Sequence, residues 1–404
     1  MNSSEPPTTN APLDAELNPA FPGIDDLDCR GRRVFLRIDP LVLDASTAEG
    51  SSLRQLLEQE ARVLIGTTLD AEAAAETGVQ GLDALAARLG EQLGVDVFLP
   101  DECVGDAVVR VLGQLRPGQL CLLPDLLAQP GERDNDERFA RALAGLADAY
   151  VGDAFSSSHL AHASLVRLPR LMPRRALGVQ ARRELSALTR LSGAARGTLA
   201  LCLGGQRFAD KIEFLDAWLP RVRTLCVGGG VAMTLLVAAG KAPASASTEP
   251  DHLARARSML ARARDLGVEL LLPTDLRAQL PNQGETWVVS PRALPAGAEL
   301  VDLGPESIEL FAQALGAHEH LLWWGPLGDT LLDAGRESSR RLAALCARPL
   351  VRAVVLGGAT RRFVRQLPAD VQAEIDLVST STAAARACLS GKRLPGIEAL
   401  RQRA

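Results

Sequence analysis

Short apolar runs alternate with helical stretches along nearly the whole chain, and this alternation limits the possible folds more than any other feature. In the first half, strands are predicted at Val34 to Ile38, Val63 to Ile65, Val95 to Leu99, Leu120 to Leu123 and Tyr150-Val151. Helices are predicted between them at 53–62, 82–93, 104–115 and 138–147. Strands that alternate with helices are typical of a parallel, doubly wound α/β sheet, in which ligands bind at the carboxyl ends of the strands.

A second series of predicted strands ends in glycines. These runs are Leu199 to Gly205, Leu225 to Gly230, Leu321 to Gly325 and Ala353 to Gly358. A strand, a glycine and then a helix present backbone N–H groups to a phosphate. The repetition indicates nucleotide binding, and a tight structural turn is the alternative explanation for each glycine.

The length of 404 residues exceeds what one compact core usually holds, so two domains are expected. We predict a first lobe at 23–180 completed by 386–404, a hinge helix at 181–196 and a second lobe at 197–385. Residues 1–22 are rich in Pro, Ser, Thr and Asn and lack Arg and Lys, which predicts a disordered tail rather than a targeting signal. A cytoplasmic location follows as an expectation.

Charge, hydropathy and cysteine content limit the kinds of partner and the redox state expected for this chain. The net charge is −5, and no basic run with interleaved aromatic residues occurs, so nucleic acid is not expected as a partner. No apolar run is long enough to cross a membrane. The seven cysteines form no Cys-x-x-Cys pair, and several lie in apolar runs, which predicts buried, reduced thiols. A monomer is expected.

The stretch Val151 to Ser164, which reads VGDAFSSSHLAHAS, combines small residues, hydroxyls and two histidines after a predicted strand. Such groups bind anions well, although a polar turn is the simpler explanation. The other histidines have ordinary interpretations. His252 is assigned to the solvated face of an arginine-rich helix. His318 and His320 flank Glu319 and are assigned to a surface loop, with a metal site as the alternative.

Nine segments in the same order resemble one family. They are GRRVFLRID from Gly31, LPDECVG from Leu99, LADAYVGDAF from Leu146, GGQRFADKI from Gly204, VGGGVAMTLL from Val227, LLPTD from Leu271, DLGPESIELFAQAL from Asp302, WWGPLG from Trp323 and GKRLPGIEAL from Gly391. Together they resemble phosphoglycerate kinase. The resemblance implies two doubly wound parallel-sheet (Rossmann-like) lobes joined by a hinge helix. It also implies that the first lobe binds 3-phosphoglycerate, that the second binds Mg-ATP, and that the lobes close for phosphoryl transfer.

In the first lobe, the resemblance assigns substrate binding to Asp39, His159 and His162. The departures from the family lie around the same site: Leu41 replaces an asparagine, Thr67 and Asp70 replace a histidine and an arginine, and Leu127 and Leu160 replace two arginines. A further family arginine falls in a segment that is too short here, between Val42 and Leu53. Arg54 is assigned to an ordinary helix position. Substrate-phosphate binding would return if Arg54 or Arg37 filled the gap.

In the second lobe, the resemblance assigns nucleotide binding to a set of retained residues. They are Gly204, Gly205, Arg207, Lys211, Gly228, Gly229, Gly230, Gly304, Pro305, Gly325, Gly357 and Gly358. Arg207, in place of a lysine, and Lys211 are also the catalytic candidates. The departures are Trp324 for an asparagine, Leu331 for a glutamate, Ala359 for the aspartate that holds the metal, and Ser381, Thr382 and Ala383 for a glycine triplet. No metal ligand is therefore assigned.

These departures affect both substrates, so we expect a degraded active site with little or no transfer from ATP to 3-phosphoglycerate. The chain would then act as a regulatory or interaction module with an unidentified protein partner, or as a sensor of a nucleotide or phosphorylated metabolite. Leu41, Leu127, Leu160, Trp324 and Leu331 would make the site more apolar. The alternative is an active, divergent phosphoglycerate kinase that uses ATP or ADP with magnesium to interconvert 3-phosphoglycerate and 1,3-bisphosphoglycerate.

Overall fold

A computed structural model describes residues 21–40, 50–68, 81–246, 249–281 and 284–402, and the chain divides into two units. Unit 1 comprises Met1–Thr189 and Thr380–Ala404, and unit 2 comprises Arg190–Ser379. Unit 1 is therefore built from two separate pieces of the chain. The predictions for the first twenty residues of the tail, Leu41 and Asp70 lie outside the described residues.

A six-stranded, wholly parallel sheet forms the centre of unit 1, in the order β3-β4-β2-β1-β5-β6. Its strands are β1 (Arg33–Ile38), β2 (Arg62–Gly66), β3 (Val97–Phe98), β4 (Leu120–Leu122), β5 (Ala149–Asp153) and β6 (Arg175–Leu177). The middle strands β1 and β5 are buried almost throughout, as expected for a parallel sheet covered on both faces. Gly396, from the second piece of the chain, donates its N–H to Ser158 O at 2.9 Å.

The helices of unit 1 follow the predicted alternation. They are α1 (Ser52–Glu58), α2 (Leu82–Leu93), α3 (Asp106–Gln114), α4 (Pro130–Arg133), α5 (Glu137–Ala144), α6 (Leu168–Leu171), α7 (Val179–Gly193), α15 (Thr382–Leu389) and α16 (Pro395–Glu398). Helix α1 is shorter than the predicted 53–62, because Glu60 takes a left-handed φ of 56° and Ala61 N donates to Leu56 O. Helix α7, the predicted hinge, continues into unit 2 after Thr189.

Unit 2 contains a second parallel sheet, ordered β15-β14-β13-β7-β8-β9, and a small antiparallel sheet, ordered β11-β10-β12. The parallel strands are β7 (Leu199–Leu203), β8 (Thr224–Val227), β9 (Glu269–Leu271), β13 (His320–Trp324), β14 (Arg352–Leu356) and β15 (Leu377–Val378). The antiparallel strands are β10 (Leu276–Gln279), β11 (Thr286–Val289) and β12 (Glu299–Leu303). The four glycine-ended runs are β7, β8, β13 and β14, so these strand predictions are confirmed.

The helices of unit 2 are α8 (Ile212–Trp218), α9 (Gly229–Ala238), α10 (Leu253–Asp265), α11 (Pro305–Gly316), α12 (Glu337–Cys346), α13 (Gly358–Val364) and α14 (Ala369–Glu374). Helix α9 is buried over most of its length, since it packs between other elements rather than against solvent. Six of the seven cysteines are buried, Cys388 is half-buried, and all are free, as predicted. Among the described residues, no helix is long and apolar enough to span a membrane.

The structure corrects one histidine prediction. His318 is buried rather than in a surface loop, with 8% of its surface exposed and Nε2 2.9 Å from Thr224 Oγ1. His320 opens strand β13 and places Nδ1 3.3 Å from Thr198 Oγ1. The described residues contain no group of three or more histidine, cysteine or acidic side chains able to hold a metal ion. The metal alternative for these histidines has no support there.

Candidate functional site

A cluster of polar side chains in unit 1, which includes Arg37, Asp39 and Ser164, lies where strands β1 and β5 end side by side. The strands are parallel, and Ile38 pairs with Asp153, so the residues that follow both strands emerge at one edge of the sheet. Asp39 is buried there and accepts hydrogen bonds from Ser156 N at 2.7 Å and Ser157 Oγ at 2.9 Å. The predicted substrate-binding aspartate is thus held against the serines of the VGDAFSSSHLAHAS stretch.

Arg37 brings a guanidinium into this cluster. Its side chain is fully buried, with Nε donating to Ser164 Oγ at 3.0 Å and Nη1 donating to Ile38 O at 3.0 Å. Nη1 also lies 4.0 Å from Asp39 Oδ1. The third nitrogen, Nη2, is buried without a hydrogen bond to any described residue. Buried polar atoms are nearly always satisfied, so an unpaired guanidinium nitrogen is suited to receive an anion.

Ser164 connects Arg37 to a buried carboxylate and a histidine. Glu132 accepts hydrogen bonds from Ser164 Oγ at 2.5 Å and from Ser164 N at 2.9 Å. His162 Nδ1 lies 3.9 Å from Glu132 Oε1. Burial lowers the pKa of His162, Glu132 opposes this effect, and the Arg37 charge adds to it. His162 is therefore neutral at pH 7 and offers one donor and one acceptor nitrogen.

The remaining predicted residues of unit 1 differ in burial and in hydrogen bonding. His159 and His162 are half-buried, and their Nδ1 atoms have no hydrogen bond partner among the described residues. Thr67 is buried, and its Oγ1 likewise has none. Leu160, which replaces an arginine, is 38% exposed. Arg54 lies in helix α1, as its register predicted.

Asp153 joins three elements beneath this cluster. Its carboxylate accepts hydrogen bonds from Ser52 Oγ at 2.6 Å and Ala181 N at 2.8 Å, and Ser52 Oγ accepts one from Val179 N at 2.8 Å. Strand β5 is thereby tied to helices α1 and α7. Burial raises the pKa of Asp153 to about 6, despite these hydrogen bonds. The residue stabilises the scaffold of the cluster, most strongly when it carries a proton.

In unit 2, the glycine-ended strands bring most of the predicted nucleotide residues to one edge of the parallel sheet. The loops after β7 and β13 touch through their backbones: Gly204 N donates to Trp324 O at 2.9 Å, and Gly205 N donates to Pro326 O at 2.7 Å. A Cβ on Gly204 would lie 2.0 Å from Pro326 O, and Gly325 takes a φ of 92°. These glycines are therefore required by loop packing, whatever they bind.

The other predicted glycines have comparable roles. Gly228, Gly229 and Gly230 open helix α9, and Gly229 N donates to Leu327 O at 2.9 Å. Gly357 and Gly358 open helix α13, where Thr360 Oγ1 accepts a hydrogen bond from Gly325 N at 3.1 Å. Ala359 is exposed beside them and offers only a methyl group. This position supplies no oxygen to a magnesium ion, so the residues do not fit a protein-held metal here.

Gly304 and Pro305 precede and open helix α11, whose first amides already face a carboxylate. Asp275 accepts hydrogen bonds from Ser307 N at 2.8 Å and Glu306 N at 3.1 Å. An internal carboxylate thus satisfies the donors that could otherwise bind a phosphate. Ser381, from the replaced glycine triplet, belongs to unit 1 and caps helix α15 by accepting a hydrogen bond from Ala384 N at 3.2 Å.

Lys211, a predicted catalytic residue, lies against Trp324. Its Nζ is 3.3 Å from the centroid of the indole ring, and the two residues are only 6% and 5% exposed. Phe214 meets the same indole edge-on, with ring centroids 5.4 Å apart. A cation over the face of a tryptophan is attracted by the ring electrons. Trp324 therefore covers the ammonium instead of lining an exposed apolar site, which corrects that part of our interpretation.

Arg207, by contrast, is exposed. Its Nη2 lies 3.8 Å from Asp210 Oδ1, and 68% of its side chain is accessible. Leu331, which stands in the place of the family's glutamate, is 89% exposed. The arginine is thus free to reach a ligand at the surface, whereas the lysine must first leave the indole.

Two parallel six-stranded sheets, the buried arginine cluster and the glycine-ended strands define a two-unit, doubly wound α/β protein. The sequence model described as "Phosphoglycerate kinase" matches residues 24–392. This chain belongs to the phosphoglycerate kinase family. The phosphoglycerate kinases of Anaeromyxobacter sp. (strain K) and Pelotomaculum thermopropionicum are each 34% identical to it, over 93% of this chain and 98% of the relative. The structure of phosphoglycerate kinase from Coxiella burnetii matches with a TM-score of 0.78 and 26% identity, over 94% of this chain and 98% of that one.

Proposed function

We propose that this protein is an active but slow phosphoglycerate kinase, which transfers a phosphoryl group between ATP and the carboxylate of 3-phosphoglycerate. The name shared by its relatives favours this alternative over the degraded site that the substitutions led us to expect. The observation that carries the proposal is Arg37, whose buried Nη2 is unpaired and whose Nη1 lies 4.0 Å from Asp39 Oδ1. It supplies an arginine where the substitutions had removed others.

The residues of the chain have distinct tasks in this reaction. In unit 1, Arg37 Nη2 binds an oxygen of the acceptor, and His159 or His162 adds a hydrogen bond. Asp39 orients Ser156 and Ser157 and lies close enough to Arg37 to fix its position. Positively charged side chains beside the transferring phosphoryl group lower the barrier, because the oxygens of that group carry negative charge in the transition state.

In unit 2, Arg207 and Lys211 supply that positive charge to the ATP phosphates. No step is assigned to a protein-bound magnesium ion, since Ala359 lacks a carboxylate. Removing one donor at such a transition state typically lowers the rate by about 10²–10³. Losses of groups that act together do not add. We therefore expect turnover at least a hundredfold below that of a relative with the full set of side chains.

A coupled assay with ATP and 3-phosphoglycerate tests the proposal, with Lys211→Met and Arg37→Lys as the variants. Phosphotransfer above the Lys211→Met background supports it. Arg37→Lys keeps the charge but loses the planar fork, so it should raise KM for 3-phosphoglycerate about tenfold or more and leave KM for ATP unchanged. Circular dichroism checks that both variants fold. Turnover indistinguishable between the parent chain and the Lys211→Met variant refutes catalysis.

A second candidate is a regulatory or ligand-sensing protein without turnover. The contact between Lys211 and Trp324 favours this second candidate, because the indole covers the ammonium that would otherwise bind a phosphate. Calorimetry with ATP and ADP, with and without magnesium, separates the two roles. Binding without phosphotransfer supports a sensor of nucleotides, and no heat at millimolar nucleotide eliminates that sensor.

We also propose the cytoplasm as the location of this activity. Burial raises the pKa of Cys29 and of Cys388 to about 11 and that of Cys103 to about 12. All seven cysteines are free of disulfides, which fits a reducing compartment better than an oxidising one. Fluorescence of a tagged chain in its native cells checks the location, and a periplasmic or secreted signal would overturn it.

A further inference from the structure

Unit 2 contains a groove of about 550 Å³ between the C-terminal part of helix α9, helix α10 and the edge strand β9. We call it the basic groove. Its lining includes Lys241, Arg257, Leu260, Ala261, Arg264, Leu270 and Leu272. The predicted nucleotide glycines open the opposite end of α9, about 15 Å away at 1.5 Å per helical residue. The basic groove is therefore separate from the glycine loops.

The floor of the basic groove is apolar because of strand geometry. Side chains two residues apart share one face of a strand, so Val268, Leu270 and Leu272 point the same way. Within the described part of the chain, strand β9 is the last strand of its sheet and pairs only with β8, through Leu270 and its neighbours. Leu270 and Leu272 remain half-exposed between the two helices. Leu260 of helix α10 adds a further half-exposed apolar side chain.

Three cations surround this floor. Arg257 and Arg264 lie seven residues apart on helix α10 and so share one helix face. Lys241 follows Gly240, whose φ of 68° turns the chain at the end of α9. None of the three forms an ion pair with a described residue, and the lining includes no acidic side chain.

The same helix provides an internal contrast. Arg255 and Arg262 are also seven residues apart, and both pair with Asp216, Arg262 Nη1 lying 3.5 Å from Asp216 Oδ1. Arg264 and Lys241 stand at helix ends, where a cation offsets the helix dipole. The helix dipole does not explain Arg257, because this residue lies in the second turn of α10, far from the C-terminal end. A protein of net charge −5 thus keeps an unpaired arginine over an apolar floor.

We propose that the basic groove binds an amphipathic organic anion, with a carboxylate, phosphate or sulfate head and an apolar body. The volume falls in the range of small-molecule sites, about 300–1,000 Å³. The head would pair with Arg257 and Arg264, and the body would cover Leu260, Leu270 and Leu272. This inference is independent of the proposed phosphotransfer, since it uses none of the same residues.

Calorimetry with decanoate tests the proposal, with decanol as the neutral probe. The double variant Arg257→Gln/Arg264→Gln should bind decanoate at least tenfold more weakly, because each charge-assisted hydrogen bond contributes on the order of a factor of ten. The matched variant Arg255→Gln/Arg262→Gln removes the same charge from the same helix and should bind within about twofold of the parent chain. Ala261→Trp, which fills the basic groove without altering charge, should also abolish binding.

The proposal is overturned if the parent chain does not bind decanoate. It is equally overturned if the two double variants weaken binding alike, because the effect would then be one of net charge. Decanol binding as tightly as decanoate would show an apolar patch without anion recognition, and would also reject it. Thermal melts of each variant establish that the compared proteins are folded.

Discussion

Replacing Trp324 by asparagine should release Lys211 and increase the affinity for ATP. The indole now lies 3.3 Å from the lysine Nζ, and both side chains are buried. An ammonium that the indole no longer covers can form a charge-assisted hydrogen bond to a phosphate, worth about 1.5–3 kcal/mol. Since 1.4 kcal/mol corresponds to a tenfold change, Kd for ATP should fall by about 10- to 100-fold.

The same substitution should lower stability, and the size of this effect can be estimated. Truncating a buried tryptophan costs about 3–5 kcal/mol, a figure that already includes the lost packing against Phe214. A desolvated cation–π contact contributes about 2 kcal/mol of the total. Trp324→Phe keeps a ring over the ammonium and leaves a smaller cavity. It should therefore lose less stability and change the ATP affinity by less than threefold.

Calorimetric titration of ATP into the parent chain and both variants provides the measurement, with urea unfolding as the companion experiment. A folded Trp324→Asn protein whose ATP affinity equals that of the parent chain would refute the reasoning, because the indole would then not restrict the lysine. An equal gain in Trp324→Phe would also contradict it, since the benzene ring should still cover Nζ.

Three further predictions follow from unit 1 and from the glycine loops. The raised pKa of Asp153 favours the folded state below pH 3.8, and this stabilisation is lost as the pH rises to about 6. In urea unfolding, the parent chain should therefore lose roughly 2 kcal/mol of stability between pH 4 and pH 6.5 through this group, and Asp153→Asn should abolish that loss. An unchanged pH dependence would contradict the assignment. Gly204→Ala should prevent stable folding, as judged by soluble yield and circular dichroism, because its Cβ would lie 2.0 Å from Pro326 O; a native-like melt would show that the loops yield easily. Ala359→Asp restores a carboxylate at the exposed start of α13 and should make the affinity for ATP depend on magnesium. Calorimetry with and without the ion measures this dependence, and identical titrations would argue against a metal position there.

Nine of the twelve strands in the two parallel sheets could be predicted because their sequence pattern is repeated and local, whereas the short strands β6, β9 and β15 were missed. Helix α2 was predicted at its observed bounds, Leu82–Leu93, from its amphipathic period. The antiparallel sheet was missed. Its strands have only four or five residues, although β10 alternates buried and half-buried side chains from Leu276 to Gln279. Short strands of this kind give a weak periodic signal, and their pairing depends on distant segments.

The candidate site was less predictable because its contacts are distant in sequence. Arg37 could have been given more weight, since a charged residue within the apolar run VFLRI needs a buried partner. The partner itself, Ser164, lies 127 residues away. The contact between Lys211 and Trp324 joins the segment after strand β7 to the last residue of the neighbouring strand β13. Nothing local to either residue reveals it.

The discontinuity of unit 1 has a consequence for how the chain folds during synthesis. Gly396 N donates a hydrogen bond to Ser158 O, and Arg175 Nη2 donates one to Arg401 O at 2.8 Å. The second piece of unit 1 thus packs against the first piece close to His159. Unit 2 is synthesised as one continuous piece, whereas unit 1 must wait until the segment from Thr380 onward has been made. Closing an intervening segment of about 190 flexible residues would oppose these contacts by roughly 5 kcal/mol. If unit 2 folds first, the ends of this segment are already close together and the loop to be closed is shorter. The position of unit 2 between the two pieces of unit 1 therefore favours folding of unit 2 before completion of unit 1.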